Sequence, residues 1–255
     1  LLENIEKHAY VGEWYARAIH DDGTFIGVKG SKECEIDILP QCFAAMVKGG
    51  DKRVLTALDR AYEMLFDKKH KILNLFTPPF ADGELNVGYI KGYVAGIREN
   101  GGQYTHAAVW GAIGFILAGK KEQGLEILNA LNPAARCTDY EAAKKYKVEP
   151  YVISADIYSS PLHRGRGGWS WYTGAAAWYY KAMLEYVMGI TLTEGFSVID
   201  VKPITDYKTE LTYNDYKLTV IASADEKRVL LDGAEASLPL KIPPGEHVLI
   251  VPVTG

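Results

Sequence analysis

The sequence has no basic surplus. Its 28 Lys and Arg stand against 32 Asp and Glu, a formal net charge of -4. A chain of this balance has no general attraction for phosphate backbones or anionic bilayers, which argues against nucleic-acid and membrane-surface functions. It also has no run of the roughly 18 to 20 apolar residues needed to span a bilayer. The opening Leu1-Leu2-Glu3-Asn4-Ile5-Glu6-Lys7-His8 lacks the basic region and apolar stretch of a signal peptide. It has no initiator Met and reads as the last turns of a helix, the pattern expected of a fragment. Cysteine is scarce: Cys34, Cys42 and Cys137 form no C-x-x-C pair and cannot all be bridged within the chain. Reduced thiols in the cytoplasm are the simple expectation. The nearest histidines have no ligand spacing to Cys34 and Cys42, so no metal site is expected.

What is present is helical periodicity up to about residue 190, punctuated by Gly and Pro. The spacing predicts helices over 36–47, 51–66, 104–117, 120–131 and 174–187. Asp51 is placed to cap the second, with Val54, Leu55, Leu58, Tyr62 and Leu65 on its buried face. Short turns make antiparallel hairpins of the first two pairs, whereas 74–103 and 133–173 are long connections. Loops of that length in a compact domain are usually functional. After about residue 195 the period changes to two, with Asn-Asp, Asp-Gly and Pro-Gly turns between short apolar segments. The predicted fold class is mainly α over residues 1–192, helical hairpins forming part of a toroid, followed by a small antiparallel β domain over 193–255.

Two clusters carry functional-looking residues. The first runs from Tyr89 through Tyr93 to Arg98-Glu99-Asn100-Gly101-Gly102-Gln103-Tyr104-Thr105-His106. It puts a tight Gly-Gly backbone and several hydrogen-bonding side chains just before a helix, with His106 on the first turn. Free N–H groups at a helix start attract anions, and an imidazole there adds a donor. The same residues would also serve as helix caps around an interior histidine. The second cluster is His163-Arg164-Gly165-Arg166-Gly167-Gly168-Trp169-Ser170-Trp171-Tyr172-Thr173-Gly174. No G-K-[ST] follows its glycines, which excludes a nucleotide P-loop. Thr173 sits at the expected N-cap of the last helix, with the Gly174 amide beside it: an anion site, or an ordinary cap. Trp169, Trp171 and Tyr172 offer flat faces to sugar rings or to the core, and Arg164 and Arg166 read as loop charges.

These stretches, in order with Trp14-Tyr15-Ala16-Arg17-Ala18, Asp21-Asp22-Gly23 and Tyr146-Lys147-Val148-Glu149-Pro150-Tyr151, resemble glycoside hydrolase family 94. That family holds the cellobiose and chitobiose phosphorylases, and the similarity is greatest to its β-1,2-glucan branch. The resemblance covers residues 1 to about 190 and implies the second half of an (α/α)6 barrel followed by a small β domain. It further implies inorganic phosphate as co-substrate, with no other cofactor and no metal. Phosphate would be held by His106, Thr173 and Gly174, and sugar contacted by Tyr93, Arg98, Glu99, Asn100, Gln103 and Trp171. Ser154-Ala155-Asp156 stands where cellobiose phosphorylases carry a sugar-contacting Gln, a departure that argues against cellobiose. The family's catalytic aspartate lies in an Asp-Trp-Asn-Asp motif, and none of the five tryptophans here follows an Asp. No catalytic acid is therefore expected in this chain. Its expected partners are a β-glucan oligosaccharide, phosphate, and the missing amino-terminal half of the enzyme or a dimer partner. The expected location is the cytoplasm or the cytoplasmic face of an inner membrane. Two rival readings remain: a non-catalytic glucan-binding module, and an inverting hydrolase using two of Glu99, Glu149 and Asp156.

Overall fold

The computed structural model describes residues 1–81, 83, 85–171 and 173–254. The chain forms two compact units, Leu1–Tyr179 and Tyr180–Gly255. The boundary falls inside the last helix, not at residue 192 where the change of period puts it. The physical reason is that Leu184 and Met188, from the end of that helix, pack on the apolar core of the β unit.

In the first unit α1 (Leu2–His8) precedes two helical hairpins, α2 (Ile38–Lys48) with α3 (Lys52–Leu65) and α4 (Thr105–Leu117) with α5 (Lys121–Leu131). The Asp37 carboxylate caps α2 by accepting from Leu39 N at 2.7 Å, and Asp51 caps α3 by accepting from Arg53 N at 3.0 Å. On α3 the fully buried side is Val54, Ala57, Leu58, Ala61 and Leu65; Leu55 and Tyr62, expected there, are only partly buried. Helix α4 is the central one, buried on nearly every side. It lies close to α2: a Cβ on Gly114 would come within 2.9 Å of Cys42 Cα.

The two long connections are not independent loops. Strand β1 (Ile36–Asp37) pairs with β2 (Phe76–Thr77), and β3 (Gln103–Tyr104) pairs antiparallel with β4 (Asp156–Ile157), Tyr104 opposite Asp156. The second ladder fastens 133–173 to the stretch that leads into α4. Within 133–173 a further helix, α6 (Tyr140–Tyr146), appears where the sequence reading placed only loop. Asp139 caps it, accepting from Ala142 N at 2.9 Å. Helix α7 (Thr173–Lys181) opens at Thr173, so Thr173 is its first helical residue and not its N-cap.

The second unit begins with π-helical turns at Ala182–Val187 and continues as strands. Strands β5 (Ile190–Thr193), β6 (Val198–Val201), β7 (Tyr207–Tyr213) and β8 (Tyr216–Ser223) are followed by β9 (Leu230–Leu231), β10 (Ala234–Glu235), β11 (Leu240–Lys241) and β12 (Gly245–Pro252). Asn214 (φ 48°) turns β7 into β8, and Asp232-Gly233 (φ 52° and 83°) turns β9 into β10, as their sequences predict. Three strands form one sheet in the order β5-β6-β11, and five form another in the order β7-β8-β12-β9-β10. The larger sheet is mixed, not wholly antiparallel as predicted: β8 and β12 run parallel, Tyr216 opposite Gly245. The chain leaves β8, builds β9 to β11 as a crossover, and returns beside it. Ile199, Val220, Leu249 and Val251 centre the core.

Candidate active site

His106 and Gly174, 68 residues apart in sequence, meet in space. A Cβ placed on Gly174 would lie 2.9 Å from His106 Cε1 and 3.1 Å from Nε2. Only glycine admits the ring this close to the start of α7. His106 itself lies in the first turn of α4, so two helix N-termini converge on one imidazole. The α4 end is held there by Thr105, whose N–H donates to Ala155 O at 3.0 Å and whose hydroxyl donates to Ser154 O at 2.6 Å. Four residues on, Trp110 shares the His106 face, and the two rings stack with centroids 5.5 Å apart. Phe43 and Trp178 pack on Trp110, each at 5.5 Å. The aromatic wall fixes the ring's plane, and the helix starts supply N–H dipoles of one sign beside it. Thr173, the third residue expected here, lies at the same helix opening, but its side chain is outside the described residues, as is Tyr172.

The first unit also holds a cationic and aromatic group. The Arg98 guanidinium lies over the Tyr93 ring at 5.4 Å and the Trp169 ring at 5.6 Å, with Glu99 at 3.5 Å from Nε. Burial works against the Arg98 charge, but Glu99, Tyr93 and Asp156 outweigh it and raise its pKa. Trp171 is 68% exposed, and its indole N–H donates to Glu149 at 3.2 Å. Its ring lies edge-on to Tyr151, 6.4 Å away. Tyr93, Arg98 and Glu99 thus stay partly exposed, and Trp171 largely so.

Asn100 and Gln103, expected on the substrate, do other work. Both are fully buried. Asn100 accepts from Phe80 N and donates to Phe80 O and Tyr93 O, all at 2.8 Å, a clamp between two stretches of the first long loop. Gln103 accepts from Leu73 N at 2.7 Å through its side-chain carbonyl. Both side chains brace loop backbone, and Gln103 Nε2 has no hydrogen-bond partner among the described residues. In sequence a polar side chain bracketing backbone looks the same as one awaiting a substrate.

Asp156 is the residue whose role the sequence concealed. Its Oδ2 accepts from Arg98 N at 3.0 Å, holding that residue's left-handed backbone (φ 50°). Oδ1 has no hydrogen-bond partner and rests on Gly168, where a Cβ would be 1.9 Å away. Burial raises the Asp156 pKa. Sealed behind Gly168, it holds the Arg98 and Trp169 loops together and is no open acid or base for a hydrolase. Glu149, in contrast, is lowered by hydrogen bonds, first from its own backbone.

Among the described residues no group of three or more His, Cys, Asp or Glu side chains could hold a metal. None of the helices there is long and apolar enough to cross a membrane. Cys34 and Cys42 are buried and their thiols pushed up by desolvation, which leaves them unreactive.

The chain is 37% identical over 233 residues to the cyclic beta-(1,2)-glucan synthase NdvB of Rhizobium meliloti (strain 1021), covering 89% of this chain and 8% of that protein. It is 25% identical over 250 residues to the solabiose phosphorylase of Paenibacillus borealis, covering 92% of this chain and 31% of that protein. Against the N,N'-diacetylchitobiose phosphorylase of Vibrio furnissii the figure is 26% over 195 residues, 75% of this chain and 23% of the relative. The chain therefore spans less than a third of the length of each. Residues 1–189 match the Glycosyl hydrolase 94 superfamily, catalytic domain, and the chain belongs to that family.

Proposed function

We propose that this chain supplies the phosphate side, and part of the sugar side, of an inverting glycoside phosphorylase site acting on β-linked glucan. The observation that carries the reading is the imidazole of His106 packed on Gly174 where two helices begin. A phosphate oxyanion there would accept from the imidazole, the Gly174 amide and the Thr173 hydroxyl. These donors hold the nucleophile and blunt its repulsion from the carboxyl group on the far side of the sugar. A phosphate oxygen attacks the anomeric carbon, the glycosidic bond breaks, and the leaving oxygen takes a proton from a carboxylic acid. The product is α-glucose 1-phosphate; run in reverse, the site elongates glucan. Phosphate takes the place that water holds in an inverting hydrolase, so no resident cofactor is needed.

The acid is left to a part of the enzyme outside this sequence, since no Asp-Trp-Asn-Asp occurs in it. Between α1 and α2 lies an apolar groove of about 210 Å³ lined by Leu2, Ile5, Phe43 and Val47. In this reading it is covered by the remaining helices of an (α/α)6 barrel, because an isolated soluble domain rarely leaves such a face bare. Tyr93, Arg98, Glu99 and Trp171 would contact the glucan. In this reading the reaction takes place in the cytoplasm or at the cytoplasmic face of an inner membrane.

The test is the full-length protein given β-1,2-glucan and inorganic phosphate. α-Glucose 1-phosphate should accumulate, and His106→Ala with Thr173→Val should lower its rate at least about 100-fold. Glucose appearing without phosphate consumption would indicate hydrolysis instead. Glucan binding without turnover and indifferent to phosphate would indicate a binding module.

A further inference from the structure

A cavity of about 600 Å³ opens on the first unit and shares no lining residue with the pairing of His106 and Gly174. Six basic side chains line it: His70, Lys145, Lys147, His163, Arg164 and Arg166. No acidic residue does. Among the described residues the lining side chains pair with one carboxylate, Asp67, at 2.7 Å from His70 Nδ1 and 3.5 Å from an Arg164 nitrogen. Lys145, Lys147, His163 and Arg166 form no ion pair among the described residues, in a chain whose net charge is negative.

The cluster is built, not scattered. Tyr158 N donates to Arg166 O and Gly165 N to Tyr158 O, each at 2.8 Å, closing the loop that bears Arg164 and Arg166. Arg164 Nε donates to Ser159 O at 3.2 Å, and Arg166 lies over the Tyr158 ring at 6.0 Å. Gly167 N donates to Tyr146 O at 2.9 Å, tying this loop to α6 and so to Lys145 and Lys147. The Lys145 stem rests on Gly165, where a Cβ would fall 2.7 Å from Cε. Two lysines are thereby held beside two arginines. Like charges gathered in one concavity repel unless an anion sits among them.

We propose that this cavity is a second anion site, recognising a phosphate dianion and roomy enough for one borne on a sugar. The spread of cations matches several phosphate oxygens at once, and Pro161 and Leu162 offer an apolar edge to the organic part. The inference does not depend on the reaction assigned above.

The experiment is calorimetry on the chain with inorganic phosphate and with α-glucose 1-phosphate, ionic strength matched with chloride. Three proteins are compared: wild type, Lys145→Gln with Arg166→Gln, and His106→Ala. The double variant should bind α-glucose 1-phosphate at least about tenfold more weakly and keep the phosphate binding that His106→Ala removes. A tenfold loss for inorganic phosphate alone would identify the free ion as the occupant. The proposal is overturned if the double variant, with unchanged circular dichroism and melting temperature, binds both anions as wild type does. It is equally overturned if chloride competes on even terms. Lys145, Lys147 and Arg166 are exposed, and Lys147→Gln alone serves if the double variant is unstable.

Discussion

Gly174→Ala isolates the contact on which the site depends. The new methyl would stand 2.9 Å from His106 Cε1 and 3.1 Å from Nε2, while unstrained carbon contacts begin at about 3.5 Å. Either the imidazole retreats by about half an ångström, disturbing its stack on Trp110, or the first turn of α7 shifts by as much. Alanine also favours a helix over glycine by about 1 kcal/mol, less in the first turn. The two effects oppose each other, so folding stability should change by no more than about 1 kcal/mol. Phosphate affinity has no such compensation. A displaced donor pair should weaken it at least tenfold, about 1.4 kcal/mol. Calorimetric titration with phosphate and a urea melt separate the two. The pairing also predicts a sign reversal: with the ring removed by His106→Ala, Gly174→Ala should stabilise the fold. Phosphate binding within twofold of wild type, with no such reversal, would refute the reasoning.

Three further predictions concern what holds the site. Asn100→Ala strips partners from Phe80 N, Phe80 O and Tyr93 O and should cost about 2–4 kcal/mol in urea denaturation; a loss under about 1 kcal/mol would show the clamp to be idle. Glu6 accepts from Tyr15, Lys48 and Arg53 at 2.7 to 2.9 Å. Although burial opposes it, these bonds carry its pKa from the ordinary 4.5 to about 2. A folded value below the unfolded one stabilises above pH 4.5 and is lost as pH falls toward 2, so Glu6→Gln should flatten the stability curve in that window; parallel curves would contradict this. Asp156 has the opposite sign, because burial raises it: its contribution is lost as pH rises from 3.8 through the folded value. Asp156→Asn should therefore gain stability over wild type as pH rises above 3.8, whereas Asp156→Ala, which abandons Arg98 N, should weaken glucan binding.

The helical hairpins were legible because apolar spacing and caps speak for themselves: Asp51 caps α3, and glycines 49 and 119 end the helices before them. Helix α6 was equally announced by Asp139 and Glu141, but it is too short for periodicity to stand out from the surrounding loop. Alternation revealed the strands and could not reveal their partners, so the parallel pairing of β8 with β12 was hidden. At the site, His106 and Gly174 were named from helix starts and resemblance, and the fold brings them together. That Asn100, Gln103 and Asp156 brace backbone is not legible in sequence, because burial decides whether a polar loop residue finds backbone partners, and burial is a tertiary property. The basic cavity was invisible because Lys145 and Lys147 join Arg164 and Arg166 only after α6 folds against their loop.

The most direct measurement is a crystal structure of the full-length protein grown with inorganic phosphate. The account predicts a phosphate whose oxygens lie about 3 Å from a His106 ring nitrogen and from the Gly174 amide. Phosphate bound only among Lys145, Lys147 and Arg166, with the imidazole facing sugar or solvent alone, would contradict it.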